Sequence, residues 1–599
     1  MTGAASGSGY AGALLVGGAC LAALAAGLDV GVSPGADLPV MTAALAALLA
    51  LSGPSRLHGA ERRRVALALG GLVAVTLPAA LAAGSPWTAF LGAPGSSLGI
   101  FQVVALGLLG CLAALNAEPV VAQARLMLPG LLVAEGALAL VQVAAGRVPA
   151  GTFSNTTYLG QAMVVSLPFA LLWLRERPRW TSWVTGAATL AVLILAESWV
   201  AAGVVATVML LWALRASREA KGASDRRATA RIALAVAAAA IVGLVALAAG
   251  ASLGSRPAMW RGALAVLADS PLLGVGPDGF RVALAPHATV GLLRGEGFRA
   301  ESFASLPADP HNLVLALLVS FGVVGAVGAL VLVGMAIHRT ARSPAGLGDF
   351  ASALAVGGYA ATTLLAPAPV QTLPLVLVAA APLTARLLRV GDGAGSRSGS
   401  DPGRFSGALV RAVFAVAAGC ALLVALHSGV RLWVGPLDGA TEARDAARAQ
   451  VWADVTGDPF ALYVASWRWV ATGSLLTDAE AARLALDDIS AAVTAEPDNP
   501  FYRLDHARTL EILGHPAADV LEEYEAALAL FPVWDDAHLE LAEYLVFIGR
   551  PEEAREHVEF VLEHVPGQRR ANEVAAGYFS AIGDDEKAMF YAEQAYGSP

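Results

Sequence analysis

The chain has 599 residues, of which 56% are hydrophobic and only 15% are charged, and its formal net charge is −9. This composition excludes an ordinary soluble domain. Nucleic-acid binding is not expected, because the chain is acidic and no basic stretch is interleaved with aromatic residues. No Gly-rich phosphate loop of the Walker type occurs, so ATP and nucleotide sugars are not expected substrates.

The apolar residues form long runs, and a bilayer core of roughly 30 Å needs about 20 such residues per helix. We predict an all-α polytopic bundle with about thirteen transmembrane spans. The first has no preceding Lys or Arg, unlike a cleaved signal peptide. The stretch 182–214 is divided at Glu197 and Ser198, because a carboxylate at mid-membrane would be costly. The predicted spans are residues 10–27, 37–53, 65–84, 96–115, 126–146, 158–174, 182–196, 199–214, 230–250, 312–336, 350–366, 368–387 and 408–429.

Charge placement predicts the orientation, since cytoplasmic loops carry the Lys and Arg excess. Counted from a cytoplasmic amino terminus, the outer loops are poor in charge or carry Asp29, Asp37 and Glu197. The inner loops hold the arginine groups within 62–64, 175–179, 215–231, 339–342 and 386–404. We therefore expect a multi-pass protein of the cell membrane, with the long loop 251–311 and the carboxyl-terminal tail outside the cytoplasm.

Three cysteines, Cys20, Cys111 and Cys420, each lie inside an apolar run. They have no paired spacing and no neighbouring histidine, so the pattern indicates neither a disulfide framework nor a metal site. We expect them to pack in the core or to face lipid. The outer loops also lack a plausible Asp-x-Asp or His-rich cluster, and neither a metal nor a cofactor is predicted.

The composition becomes acidic and helix-forming after the last span, which predicts a membrane domain of residues 1–434 and a second domain of residues 435–599. In the second domain a Gly closes one predicted helix and a Pro follows the next, and this pattern recurs every 34 or 35 residues. The glycines are Gly514, Gly549 and Gly583, and the prolines are Pro497, Pro532 and Pro566. A less regular copy precedes them. The pattern resembles tetratricopeptide repeats, an α-solenoid that binds a protein partner or braces a neighbouring domain.

The predicted long outer loop contains an ordered series of residues that continues into the next predicted span. The series comprises Arg256, Trp260, the turn residues Pro271, Gly274 and Gly276, then His311 and Asn312, with Phe321, Gly322 and Gly325 in the span that follows. This order resembles the O-antigen ligase and polymerase family of bacterial membrane glycosyltransferases. An earlier outer loop, with Gly151, Phe153 and Asn155, is similar to the Gly-x-Phe-x-Asn pattern of the same family, and the resemblance covers roughly residues 95–340.

The residue types fit the chemistry of this family. Arg256 and Trp260 would share a helix face, and a guanidinium group can hold a phosphate or diphosphate. A neutral imidazole at His311 can accept a proton from an attacking hydroxyl, and Asp309 can orient it. The alternatives are an interfacial arginine beside a belt tryptophan and a structural histidine.

The resemblance implies a GT-C type enzyme that needs no metal and transfers a glycan, with inversion, from a polyprenyl diphosphate carrier. Catalysis would fall to His311 and Arg256. Substrate binding would fall to Arg147, Trp260, Arg261, Asn312 and Asp309. One departure concerns a Ser-Arg pair that the family commonly carries where this chain has Glu197-Ser198-Trp199. Three explanations are open: another arginine takes the place of the missing one, the donor differs, or the activity is altered. The arginines that could take its place are Arg147, Arg261, Arg281, Arg294 and Arg299.

The acceptor stays open between a lipid, a carrier-linked glycan and a protein hydroxyl. These correspond to a ligase, a polymerase and a protein O-oligosaccharyltransferase. A different class of function is a non-catalytic membrane scaffold that gathers envelope-assembly proteins through the repeats. A transporter is the third rival, although internal duplication and charged residues within spans, which are typical of transporters, are not evident.

Overall fold

The computed structural model describes residues 3–25, 37–52, 59–92, 98–153, 155–219, 256–295, 306–342, 346–367, 371–388, 407–434, 443–473 and 476–597. Within these ranges the ordered elements are helices joined by turns, with no strand, which confirms the predicted all-α class. The predicted span 230–250 and Arg299 lie outside the described residues.

The apolar part of the chain forms seventeen described helices, some of them short. They are α1 Gly3–Ala25, α2 Asp37–Ser52, α3 Gly59–Leu81, α4 Pro86–Leu91, α5 Ile100–Leu115, α6 Ala117–Ala144, α7 Thr156–Trp173, α8 Arg179–Leu195, α9 Trp199–Glu219, α10 Arg256–Asp269, α11 Phe280–Leu284, α12 Val290–Gly295, α13 Leu313–Arg342, α14 Leu347–Thr363, α15 Leu373–Ala379, α16 Ala381–Leu388 and α17 Gly407–Val434.

Five helical segments among the described residues are long and apolar enough to cross a membrane: Arg63–Leu81, Ala117–Ala144, Thr156–Glu176, Trp199–Ala216 and Val410–Arg431. Shorter apolar helices accompany them at Ala11–Leu24, Ile100–Leu115, Trp180–Leu195 and Leu313–Ala329. The long apolar helices indicate a membrane protein.

Two predicted spans differ from the helices that the chain forms. The predicted span 368–387 is broken between α15 and α16, where Pro382 stands at the second position of α16 and cannot donate a backbone hydrogen bond. The predicted span 312–336 is kinked, because Gly322 inside α13 has φ 62° and ψ −170°. The division at Glu197 and Ser198 is present, since α8 ends at Leu195 and α9 begins at Trp199.

The chain divides into two compact units. The first comprises Met1–Ser252, Ser270–Asp278 and Asp309–Pro436, and the second comprises Leu253–Asp269, Gly279–Ala308 and Leu437–Pro599. At the centre of the first unit, α7 is buried along nearly its whole length and packs against α6, α9 and α14. Small residues permit this approach: a Cβ at Gly358 would lie 2.7 Å from Val164.

The second unit contains helical pairs joined by short turns. α10, α11 and α12 also belong to this unit. The paired helices are α18 Ala443–Thr456, α19 Pro459–Ala471, α20 Ala479–Ala495, α21 Pro500–Ile512, α22 Ala517–Leu530, α23 Asp535–Phe547, α24 Pro551–His564, α25 Arg569–Ala581 and α26 Asp585–Tyr596. Gly514, Gly549 and Gly583 each follow the first helix of a pair with φ between 71° and 80°, a conformation that favours glycine at a helix end. The recurring glycines of the sequence therefore mark recurring turns.

Polar and aromatic contacts connect successive pairs of this unit. Arg508 of α21 donates hydrogen bonds to both carboxylate oxygens of Glu540 of α23, each at 2.6 Å. Phe501 packs edge-on against Trp534. Within the pair formed by α23 and α24, the Nδ1 atoms of His538 and His557 lie 2.8 Å apart, so one ring donates a hydrogen bond to the other. Each pair thus depends on its neighbour for packing.

Candidate functional site

The loop before α13 folds into a tight turn around Asp309. The backbone N–H of His311 donates to Oδ1 of Asp309 at 2.6 Å, and His311 has a left-handed backbone with φ 50°. Such a conformation is uncommon outside glycine and occurs often at functional sites. Partial burial raises the pKa of the Asp309 carboxyl, while the neighbouring His311 opposes that rise.

Asn312 fixes the start of α13. Its Oδ1 accepts hydrogen bonds from the backbone N–H groups of Val314 at 3.0 Å and Leu315 at 3.1 Å, which is the geometry of a helix N-cap. Its amide nitrogen donates to the carbonyl oxygen of Leu364 at 2.9 Å. The side chain therefore ties α13 to the end of α14 and sets the position of the adjacent His311.

The turn Pro271–Gly276 docks against the kink of α13 through backbone groups. Val275 donates to the carbonyl of Val319 at 2.8 Å, and Val323 donates to the carbonyl of Pro271 at 2.9 Å. A Cβ at Gly274, which has φ 71°, would lie 2.7 Å from the backbone nitrogen of Gly322. Gly274 and Gly322, which are far apart in the sequence motif, therefore lie against each other. Glycine is needed at both positions because the two backbones approach so closely.

Two phenol groups lie near the turn around Asp309, and one of them belongs to a row of buried, hydrogen-bonded polar side chains. Asp309 lies within electrostatic range of the phenols of Tyr158 on α7 and Tyr359 on α14. Tyr359 shares a hydrogen bond of 3.2 Å with Thr372, which donates in turn to Gln161 at 3.3 Å. Sequence reasoning missed these hydrogen bonds, because no periodicity marks side chains that meet from two helices and from the turn before a third.

The loop between α6 and α7 closes on a buried carboxylate that the sequence analysis did not single out. Glu135 on α6 accepts from the backbone N–H of Thr152 at 2.8 Å and from its hydroxyl at 2.6 Å. Gly151, with φ 65°, leaves room for this carboxylate, and Asn155 caps α7 by accepting from Thr157 at 2.7 Å. The pattern Gly-x-Phe-x-Asn thus has local structural roles. The signal that could have identified this position is a glutamate inside the predicted span 126–146, where the sequence analysis saw no evident charged residue.

The predicted arginines fall in both units. Arg147 is exposed on the loop after α6 and belongs to the first unit with Asp309, His311 and Asn312. The partly buried pair Arg256 and Trp260, together with the exposed Arg261, belongs to the second unit. Arg256 begins α10, and Trp260 follows one turn later on the same face.

The further arginine candidates have different surroundings. Arg261 donates from Nε to the carbonyl of Pro257 at 3.3 Å, and Arg281 is buried at the start of α11. Arg294 lies on α12.

At the place of the family's Ser-Arg pair, Ser198 is buried and Trp199 is exposed. A Cβ at Gly160 on α7 would lie 2.5 Å from the hydroxyl oxygen of Ser198, so this serine packs against the turn of α7 that carries Tyr158 and Gln161. Glu197 is exposed and has φ 53°. An arginine side chain does not occupy this position.

No model of a known protein family matches the chain, and no curated protein matches it. Within the described residues, no group of three or more His, Cys, Asp or Glu side chains has the arrangement of a metal site.

Proposed function

We propose that this protein is a membrane glycosyltransferase of the O-antigen ligase or polymerase type, which transfers or polymerises a glycan from a polyprenyl diphosphate carrier at the outer face of the cytoplasmic membrane. The observation that carries the proposal is the Asp309 turn. In this turn His311 has a left-handed backbone conformation just before the start of α13, beside the partly buried carboxylate of Asp309. Pre-organised strain of this kind favours a functional role over a structural one.

His311 acts as the general base in this proposal. Its imidazole takes the proton of the acceptor hydroxyl while the hydroxyl oxygen attacks the anomeric carbon of the donor sugar. The bond from that carbon to the diphosphate breaks on the opposite face, and its electron pair leaves with the diphosphate, which inverts the anomeric centre. Asp309 stabilises the imidazolium that forms, because the carboxylate lies within electrostatic range of the ring.

Arginines stabilise the leaving group. Arg256 binds the diphosphate, and Arg147 supports it from the other outer loop, so that positive charge stands where negative charge develops. Trp260 and Arg261 contact the carrier-linked donor, and Asn312 contacts substrate while it holds α13 in place. The polar chain through Tyr359, Thr372 and Gln161 supports the same end of the bundle.

The predicted topology places this end outside the cytoplasm. The described arginines of the opposite end, among them Arg175, Arg177 and Arg386, match the expected cytoplasmic excess of positive charge. In this topology the amino terminus is cytoplasmic, and the helical pairs of the second unit form an extracytoplasmic solenoid of the tetratricopeptide type. The solenoid would bind a protein partner or a second copy of the chain.

Protein O-oligosaccharyltransferase activity is the alternative that the helical pairs favour, because an outer solenoid can present a protein acceptor. A non-catalytic scaffold is the second alternative. It is favoured by the structural roles of Gly151, Gly274 and Gly322 and by the tryptophan, Trp199, that follows Ser198 in place of the arginine. A deletion strain separates the two transferase types: loss of the surface polysaccharide ladder with intact glycoproteins supports the ligase or polymerase, and the reverse supports protein glycosylation.

Complementation of the deletion strain with Arg256→Ala and His311→Ala variants tests the enzyme class. We expect both variants to reach the membrane at the wild-type level, to lose mature glycan and to accumulate carrier-linked intermediates. Wild-type glycan from both variants, together with loss of the phenotype on removal of residues 443–597, would favour the scaffold.

A further inference from the structure

A second polar site lies at the opposite end of α7 from the Asp309 turn. A cavity of about 590 Å³ opens where α6 and α14 begin and α7 ends, with α16 beside them. Leu172, near the end of α7, lines this cavity, whereas Tyr158, near its start, lies within electrostatic range of Asp309. The 14 residues from 158 to 172, at about 1.5 Å each, separate the two by about 21 Å along the helix. The cavity is therefore distinct from the candidate functional site.

Charges of both signs line this cavity. The charged residues of the lining are Glu118, Arg125, Arg175, Glu176, Asp349 and Arg386. Arg125 donates a hydrogen bond to Glu176 at 3.0 Å, and Arg386 donates one to Asp349. A ligand that carries both signs of charge fits such a lining, because each of its charges can meet an opposite charge in a hydrogen bond.

One face of α6 sets the order of the charges. The lining residues of this helix are Glu118, Val121, Ala122 and Arg125, whose spacing places them on one helix face. Glu118 is exposed in the first turn of the helix, and Arg125 is half-buried two turns later. The seven residues between their positions span about 10 Å. The face thus has a carboxylate at one end, a guanidinium group at the other end and apolar side chains between them.

Arg386 brings a buried donor to the cavity. Its Nη2 atom donates to Oδ2 of Asp349, the oxygen that also accepts from the backbone N–H of Gly346 at 3.0 Å. Its Nη1 atom is buried and has no hydrogen-bond partner within the part of the chain that the structure describes. A buried donor without an acceptor is destabilising. An anionic oxygen in the cavity would pair with this atom.

The cavity lies at one end of two helices that can cross a membrane. Ala117–Ala144 and Thr156–Glu176 are long and apolar enough for this, and the first turns of one and the last turn of the other line the cavity. Apolar residues, Leu172 and Leu347 among them, form part of its wall. Sites at the ends of membrane-spanning helices lie at the level of the lipid headgroups. A phospholipid headgroup is therefore the ligand that this position favours.

We propose that this cavity binds the phosphoethanolamine headgroup of phosphatidylethanolamine. The phosphate oxygens accept hydrogen bonds from Arg386 and Arg125, and the ammonium group donates to the carboxylate of Glu118. The apolar wall contacts the glycerol and the first methylenes of the acyl chains. Phosphatidylglycerol has no ammonium group for Glu118, and the trimethylammonium group of phosphatidylcholine has no N–H to donate. Soluble phosphoethanolamine has the same charges but no acyl chains to contact the apolar wall. Binding at this site is independent of the proposed transferase activity.

Native mass spectrometry of the full chain in detergent tests the proposal. Phosphatidylethanolamine, phosphatidylglycerol, phosphatidylcholine and soluble phosphoethanolamine are the separate probes. The test variant is Glu118→Gln, and the control is Glu197→Gln, which makes the same change at an exposed carboxylate of the same unit outside the cavity. We expect wild type to bind phosphatidylethanolamine more tightly than the other three probes. Glu118→Gln should bind it about tenfold more weakly, the equivalent of about 1.4 kcal/mol, and should bind phosphatidylglycerol at least as tightly as wild type does. The control should match wild type with every probe.

A second variant examines the phosphate end of the headgroup. Arg386→Lys keeps the positive charge beside Asp349 but loses the forked guanidinium donors, so it should bind phosphatidylethanolamine and phosphatidylglycerol more weakly than wild type does. Wild-type affinity in this variant would overturn the contact with phosphate.

Three further results would overturn the assignment. Equal losses in Glu118→Gln and Glu197→Gln would reduce the effect to net charge. Equal affinity of wild type for phosphatidylethanolamine and either of the other two lipids would remove the role of the ammonium group. Equal affinity for soluble phosphoethanolamine and phosphatidylethanolamine would identify a soluble ligand instead of a lipid.

Discussion

Replacement of Gly322 by alanine should destabilise the membrane unit, because the kink of α13 admits only glycine. At φ 62° and ψ −170°, a residue with a Cβ is strained by roughly 1–3 kcal/mol. The new Cβ would lie 2.5 Å from the backbone nitrogen of Leu273 and would overlap the carbonyl of Leu272. These are backbone atoms, so overpacking adds roughly 1–3 kcal/mol. The total loss is about 2–6 kcal/mol.

The assay is the melting temperature of the detergent-solubilised full chain, followed by intrinsic tryptophan fluorescence. Gly357→Ala is the matched control, because Gly357 lies inside α14 and a Cβ there would meet no atom within 4 Å. Alanine there gains up to about 1 kcal/mol of helix propensity, so the melting temperature should stay or rise. Equal melting temperatures for Gly322→Ala and Gly357→Ala would refute the docking of the Pro271–Gly276 turn on the kink.

Three further predictions use the same full chain. Asn312→Ala should lower the free energy of unfolding by about 1–2 kcal/mol, because the helix cap is lost. Asn312→Asp loses only the hydrogen bond that the amide donates to Leu364 and should lower it less. Thermal melting ranks the two variants. Gly151→Ala should lower the melting temperature, because its Cβ would overlap the carboxylate of Glu135, and wild-type melting would contradict that contact. Burial lowers the pKa of His538 to about 4 in the folded state, whereas the pKa of an unfolded histidine is about 6.5. Between these pH values the folded state binds fewer protons than the unfolded state. The local free energy of unfolding should therefore fall by up to roughly 3 kcal/mol as the pH drops from 6.5 to 4. Hydrogen exchange of residues 535–564 should show a steeper slope for wild type than for His538→Gln, and identical slopes would exclude the effect.

The sequence predicted the helical class and many helix positions, because both depend on local features. Apolar runs set the helices, and Glu197 correctly marked a break between two of them. The recurring glycines likewise marked the turns of the second unit. The kink at Gly322 was not predicted, since it packs against a backbone turn that begins at Pro271, about fifty residues earlier in the chain.

The candidate site was predictable only in part. Asp309, His311 and Asn312 are sequence neighbours, so their shared turn follows from local rules for Asx side chains and helix caps. The contacts with Tyr158, Tyr359 and Thr372 depend on how three helices pack, which a hydrophobic pattern does not specify. The placement of Ser198 against Gly160 is a tertiary contact of the same kind.

The most direct test of the proposed transferase is the turnover of a polyprenyl-diphosphate-linked glycan in membranes that contain the full chain. His311→Ala is compared with His287→Ala, a control histidine of the same predicted outer loop that pairs with Asp269 at 2.6 Å. At equal expression, we predict that His311→Ala accumulates the carrier-linked glycan and that His287→Ala consumes it as wild type does. Consumption at the wild-type rate by His311→Ala would contradict the assignment of His311 as the general base.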